Sequence, residues 1–170
     1  TAIAVKPIAD AFGIRSSVYT TMQALSGAGP TGVPAMKVVD NVVPFIGNEE
    51  EKLSAELRKI LGSYHDGQIS PHQAPLAATC TRVPVRDGHT ISITLDCDRP
   101  VSVEAAIEAL GSYRGAAQKL GLPSAPAVPL VVRSEHDRPQ PILDRDVDHG
   151  RAVSIGRVRA NEAVNHGRSY

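Results

Sequence analysis

Apolar and polar positions along the chain fall into short blocks that predict alternating helices and strands. Ala2 to Phe12 is mixed apolar and ends at Gly13, the pattern of a helix closed by a glycine C-cap, with Pro7 required in its first turn. Ser16 to Leu25 contains Val18, Tyr19, Thr20 and Thr21, a β-prone run, and then gives way to Ser26-Gly27-Ala28-Gly29-Pro30-Thr31-Gly32. Val38 to Ile46 is apolar but broken by Pro44, and its pattern fixes no element. The clearest helix opens at Asn48, a good N-cap residue, and Glu49, Glu50 and Glu51 suit the positive end of its dipole. Leu53, Leu57, Ile60 and Leu61 recur on one stripe of that helix, and Gly62 ends it.

Farther on, the polar stretch Ser63 to Pro75 reads as a loop. Ala77 to Val85 and Thr90 to Asp96 read as two strands joined by Arg86-Asp87-Gly88-His89, where Asp-Gly predicts a hairpin turn. Ile91, Ile93 and Leu95 alternate with Thr90, Ser92 and Thr94, giving one dry face and one polar face. Ser102 caps a short helix with Val103, Ala106, Ile107 and Leu110 on one side. Pro123 to Pro129 reads as a linker, Leu130 to Arg133 as a strand, Asp137 to Gly150 as a charged loop and Ala152 to Val158 as a last strand. Ala160 to Tyr170 is a polar tail, expected to fray. There is no internal repeat and no regular βαβ alternation. The order of elements predicts an α+β fold: a mixed, largely antiparallel β-sheet with helices packed on one face.

Composition narrows the function. The chain has 170 residues, and its 18 Lys and Arg cancel its 18 Asp and Glu. Neutrality argues against broad electrostatic binding to nucleic acid or to a membrane surface. With 42% hydrophobic residues the chain can bury a core, and with four Tyr, two Phe and no Trp that core must be aliphatic. Cys80 and Cys97 are too few for a disulfide scaffold and read as small hydrophobes in a reducing compartment. No apolar run reaches the length of a membrane span and no signal sequence opens the chain, so a cytoplasmic protein is expected. The first residue is Thr1, which suggests a fragment or a processed chain.

Most catalytic motifs are absent or incomplete. Gly27, Gly29 and Gly32 spell G-x-G-x-x-G, but Pro30 lies inside the motif and no amphipathic helix follows it. The acids about 20 residues on open a helix rather than close a strand, so the dinucleotide fingerprint does not hold. No metal-ligand spacing, P-loop or G-x-S-x-G elbow is present. Glu49 and Lys52 stand three apart on a helix, the spacing of an ordinary surface pair. More informative are Arg82, on an otherwise apolar strand, and His89, beside the turn. A buried arginine needs a carboxylate or phosphate partner, and an imidazole near a cleft can trade protons at neutral pH.

Taken together, these segments resemble one family. Thr21-Met22-Gln23-Ala24-Leu25-Ser26-Gly27-Ala28-Gly29 is similar to the glutamine-and-glycine loop of aspartate-semialdehyde dehydrogenases. Arg82-Val83-Pro84-Val85-Arg86-Asp87-Gly88-His89-Thr90 resembles their segment carrying the substrate arginine and catalytic histidine. The Asn48-Glu49-Glu50-Glu51-Lys52 helix start and Asp137-Arg138-Pro139-Gln140-Pro141 fit the archaeal and fungal branch. The resemblance implies the catalytic and dimerisation domain over residues 1–159, with 160–170 as a tail, and a sheet region that pairs two subunits.

It also implies roles. His89 would be the acid/base, Gln23 would orient substrate, Arg82 would clamp the substrate carboxylate, and Glu49 and Lys52 would meet the amino group and the phosphate. Ser26 and Gly27 would approach the nicotinamide of NADP(H). The family's nucleophilic cysteine lies in an Asn-Cys-Ser/Thr motif just before the segment resembling Thr1 to Gly13 and is not in this chain; neither Cys80 nor Cys97 replaces it. The nucleotide-binding domain and the closing helix with its cofactor segment are likewise not in these residues. The expectation is therefore the catalytic/dimerisation portion of an NADP-dependent enzyme that interconverts L-aspartyl 4-phosphate and L-aspartate 4-semialdehyde, inactive alone and binding no cofactor tightly by itself. Its partners would be a second copy, a nucleotide-binding domain in cis or trans and a small-molecule substrate, with no metal, nucleic acid or membrane. A non-catalytic dimerisation module, or one chain of a split enzyme, are the alternatives.

Overall fold

The computed structural model describes residues 1–162 and 164. In chain order the elements are helix α1 (Ala2–Phe12), strand β1 (Ser16–Gln23), a single 3-10 turn (Leu25–Ala28), α2 (Ala35–Val38) and α3 (Glu49–Leu61). They continue with β2 (Ser63–His65), β3 (Gln68–Ser70), β4 (Leu76–Arg82), β5 (Thr90–Asp96), α4 (Val103–Ser112) and α5 (Ala116–Lys119), then β6 (Leu130–Val132), α6 (Pro141–Asp144) and β7 (Val153–Ile155). The α+β class with a mixed sheet is as expected. The chain forms two compact units: Thr1–Ala2 with Ile14–Asp96, and Ile3–Gly13 with the chain from Cys97 onward.

The first unit is built on a three-stranded sheet in the order β4-β1-β5. β1 runs parallel to β4 and antiparallel to β5. Alternation along β1 buries Ser17, Tyr19, Thr21 and Gln23 and leaves Val18 and Thr20 in solvent. On β4 the residues beside Thr21 and Gln23 are Cys80 and Arg82, both buried. Helix α3 packs on β4, with Leu57 its most buried side chain.

Several local readings change here. β4 and β5 are not a hairpin: β1 lies between them, and the connection from Val83 to His89 crosses the end of β1 instead of turning back on itself. Gly88 takes the positive φ of 92° that the turn needs, but the strands it joins pair only through β1. The supposed loop from Ser63 holds a small antiparallel ribbon, β2 with β3, turned at Asp66 and Gly67, both at positive φ. Gly62, just before it, is pressed against the backbone carbonyl of Ser70, so a side chain at that position has no space. Asn48 does mark the start of α3, but its backbone is left-handed (φ 62°) and its side chain makes no capping bond. Ile60 departs from the apolar stripe and is exposed.

In the second unit, β6 and β7 pair in parallel and α4 packs on β6. Gly13 ends α1 at φ 72°, and Ser102 Oγ accepts from the Ala105 amide at 3.1 Å, both as the sequence predicts. Pro7 lies beyond the first turn of α1 because the helix already begins at Ala2; the proline ring is buried. The charged stretch from Asp137 contains α6, and Ala116–Lys119 is an additional helical turn. Asp144, on α6, is buried, accepts hydrogen bonds from Arg138 Nε and Nη2 at 2.8 and 2.7 Å, and forms an ion pair with Arg133, whose Nε lies 3.0 Å away. Among the described residues no helix is long and apolar enough to cross a membrane. The expected frayed tail falls largely on residues 163 and 165–170, outside the described ones.

Candidate active site

Where β1 ends, its chain meets the crossover between β4 and β5. The Gln23 carbonyl accepts from the Val83 amide at 3.0 Å, and the Leu25 and Ser26 amides donate to Val85 and Arg86 at 2.8 and 3.0 Å. This backbone lacing brings three separate parts of the sequence into one place: the loop after β1, the crossover and, from above the sheet, the first turn of α3.

Six side chains gather around it. Gln23 Nε2 donates to Glu49 Oε2 at 3.1 Å and lies 3.4 Å from Thr21 Oγ1. Glu49 Oε1 in turn faces Lys52 Nζ at 3.6 Å. On the other side of Gln23, the Ala24 backbone binds two cationic-type side chains at once. Its carbonyl accepts from Arg82 Nη1 at 2.7 Å, and its amide donates to His89 Nδ1 at 3.1 Å. Arg82 and Gln23 are buried, whereas His89 is at the solvent rim.

Gly27 explains how closely these groups approach the loop. A Cβ placed there would stand 2.9 Å from Arg82 Nη1 and 3.0 Å from both Cε1 and Nε2 of His89. Arg82 and His89 therefore both lie against Gly27, leaving too little room there for a methyl group.

Electrostatics set the protonation of His89. Partial desolvation and then the positive Arg82 push its pKa below the ordinary 6.5, with Glu49 opposing. The amide of Ala24 acts the same way, because a nitrogen that accepts a hydrogen bond is held unprotonated. His89 is thus neutral at pH 7 with its proton on Nε2, the nitrogen next to Gly27.

Every residue assigned from the sequence lies in this region: Gln23, Ser26, Gly27, Glu49, Lys52, Arg82 and His89. The hairpin expected to join Arg82 and His89 is replaced by a crossover, yet the two still meet, because both flank the segment that passes over β1. Three participants escaped sequence reasoning. Thr21 was legible through the period-two alternation that puts it on the face of Gln23. The backbone of Ala24 and the carboxylate of Glu50, which accepts from the Cys80 amide at 3.0 Å, had no local signal. Cys80 is fully buried, which suits a packing role and not a nucleophile.

Comparison with known proteins follows the same lines. Residues 5–170 match the family model described as semialdehyde dehydrogenase, dimerisation domain. The chain is 46% identical to the aspartate-semialdehyde dehydrogenase of Methanothermobacter thermautotrophicus over 168 residues, covering 99% of this chain and 48% of that protein. It is 51% identical to the aspartate-semialdehyde dehydrogenase of Aspergillus fumigatus over 144 residues, covering 82% of this chain and 40% of that one. Among solved structures, the aspartate-semialdehyde dehydrogenase of Candida albicans with NADP superposes with a TM-score of 0.85 at 43% identity, over 94% of this chain and 46% of that one. The chain thus spans about half the length of the curated relatives it matches.

Proposed function

Since this chain belongs to the semialdehyde dehydrogenase dimerisation-domain family, we propose that it is the catalytic and dimerisation portion of an aspartate-semialdehyde dehydrogenase and builds the substrate side of its active site. The observation that carries this reading is the convergence of Arg82, His89 and Gln23 on the Ala24–Gly27 segment, with Glu49 and Lys52 beside them.

Each group suits one part of L-aspartate 4-semialdehyde or its acyl phosphate. Arg82 is held by Ala24 O through one N–H and offers a planar fork to the substrate carboxylate. Glu49 suits the substrate ammonium, and Lys52, a compact exposed cation, suits phosphate. Gln23, fixed by Glu49 and Thr21, orients the reacting carbonyl. His89 keeps its proton on Nε2, from which it gives the proton to the substrate oxygen in the reducing direction and recovers it in the other. The covalent step calls for a thiolate, a role that the fully buried Cys80 does not suit.

The glycine loop also fits a nicotinamide. Ser26 and Gly27 are exposed beside His89, and a side chain added at Gly29 or Gly32 would meet nothing within 4 Å, so the loop presents an open, small-residue surface. NADP(H), named with the Candida albicans structure, would supply the hydride there when bound, with Ser26 and Gly27 as the contacts from this chain.

Self-association belongs to the same reading. The sheet face opposite α3 carries Val18 and Thr20 on β1, Ala77 and Thr79 on β4 and Ser92 on β5, all exposed and all small enough for a flat face-to-face contact. A second copy is the partner we assign to it. Sedimentation should show a dimer that Val18→Arg converts to monomer.

The direct test compares this chain with the full-length protein containing it. Given NADP+, phosphate and L-aspartate 4-semialdehyde, the full-length protein should produce NADPH and the chain alone should not. Turnover by the isolated chain, or none by the full-length protein, would refute the reading.

A further inference from the structure

Three consecutive glutamates open α3, and they do three different things. Successive helical residues point about 100° apart, at 3.6 residues per turn, so no two can serve one partner. Glu49 turns to Gln23, at 3.1 Å. Glu51 is exposed. Glu50 is half-buried and its Oε1 accepts from the backbone amide of Cys80 at 3.0 Å.

That amide is unusual in needing a side chain. β4 is an edge strand, so its outward N–H groups have no neighbouring strand. The Arg82 amide is satisfied by Val43 O at 2.9 Å, through an isolated bridge from the segment before α3. The Cys80 amide, on the same edge and at a residue with no exposed surface, is satisfied by Glu50. An ionised carboxylate is a stronger acceptor than a neutral one, and a buried amide without an acceptor is costly.

The same turn is also tied to β1, where Gln23 Nε2 donates to Glu49. Asn48 gives no side-chain cap. The Glu50–Cys80 bond therefore ties the first turn of α3 to the strand two residues before Arg82. On the same turn, Glu49 meets Gln23 of the sheet at 3.1 Å and Lys52 at 3.6 Å.

We propose that Glu50 is a positioning residue: its carboxylate pins the first turn of α3 to the free edge of β4 and so sets Glu49 and Lys52 in register with Gln23 and Arg82. This rests on the substrate-site reading given above. Glu50 touches no substrate in this scheme; it acts through Glu49 and Lys52.

The test uses the full-length enzyme with Glu50→Ala, Glu50→Gln, Glu51→Ala and Glu49→Gln, measuring kcat, the KM values for L-aspartate 4-semialdehyde and phosphate, and the unfolding temperature. Glu50→Ala should raise both KM values about tenfold with a smaller change in kcat, as expected when binding groups are displaced and not removed. Glu50→Gln should restore KM to within about threefold of wild type, because its amide oxygen can accept the same bond. Glu51→Ala should match wild type, which separates the anchor from a general effect of negative charge at the helix start. Should Glu50→Ala not fold, Glu50→Asp, one methylene short of the Cys80 amide, is read in its place. Wild-type KM values in the Ala (or Asp) variant, or a Gln variant as impaired as the Ala variant, would overturn the proposal while leaving the site intact. Wild-type kinetics for Glu49→Gln would instead overturn the site reading itself.

Discussion

The backbone amide of Ala24 donates to Nδ1 of His89 at 3.1 Å, across 65 residues of sequence, and this bond decides which ring nitrogen carries the proton. Protonating Nδ1 would break it and place a second positive charge near Arg82. Partial desolvation and then Arg82 lower the pKa of His89, and the accepted amide bond favours the same neutral form. An NMR titration of the His89 ring should have its midpoint below the ordinary 6.5. The sign for stability follows: the unfolded chain binds this proton more readily, so the contribution of His89 is fully present above the unfolded pKa and is lost as pH falls from about 6.5 through the folded value. A midpoint at or above that of a free imidazole would contradict the geometry.

Gly27 should not tolerate even alanine. The added methyl would press on Arg82 Nη1 at 2.9 Å and on His89 at 3.0 Å. Gly27 is not at a positive φ, so the backbone itself accepts an L-residue and the fold should survive. In the full-length enzyme Gly27→Ala is expected to lower kcat/KM on the order of 100-fold through misplacement of the two groups, with little change in unfolding temperature. Equal losses of stability and activity would point to a packing role only.

Arg82→Lys separates charge from shape. Lysine keeps the positive charge but cannot hold Ala24 O and a bidentate carboxylate together. Losing one charge-assisted hydrogen bond costs about 1.5–3 kcal/mol. The KM for L-aspartate 4-semialdehyde should therefore rise by more than about tenfold, since 1.4 kcal/mol is one decade. Steady-state kinetics on the full-length enzyme read this directly, and an unchanged KM would remove Arg82 from substrate binding.

In the second unit Asp144 is the structural counterpart of that buried cation. Hydrogen bonds from Arg138 hold its carboxyl well below the usual carboxylate range, against the opposing effect of burial, with help from the Gln140 amide and Arg133. Asp144→Asn leaves the two arginines facing a neutral amide and should cost roughly 3 kcal/mol in chemical denaturation. A depressed pKa stabilises above the unfolded value and ceases to do so as pH falls through the folded one. The difference between wild type and variant should hence shrink only under strongly acidic conditions, below the ordinary carboxylate pKa.

By itself, the sequence determined the pieces. The β-prone run Val18, Tyr19, Thr20 and Thr21 marked β1 as a strand, the acidic start and apolar stripe of Glu49–Leu61 marked α3 as a helix, and the combined motifs around Gln23, Arg82 and His89 pointed to the family. Those signals are local, because propensity, capping and period act over a few residues. What only the tertiary structure decided was who stands beside whom. An Asp-Gly pair between two strands favours a hairpin, yet β1, from far earlier in the chain, takes the central place between β4 and β5, and the supposed turn becomes a bridge over its end. Period-two patterning marks a strand without naming its neighbour, since the hydrogen bonds that pair strands come from backbone groups every residue shares. The same reason hid Ala24 and Glu50: one acts through its amide and carbonyl, the other on an amide of β4, and neither interaction exists until the edge of that strand has been formed.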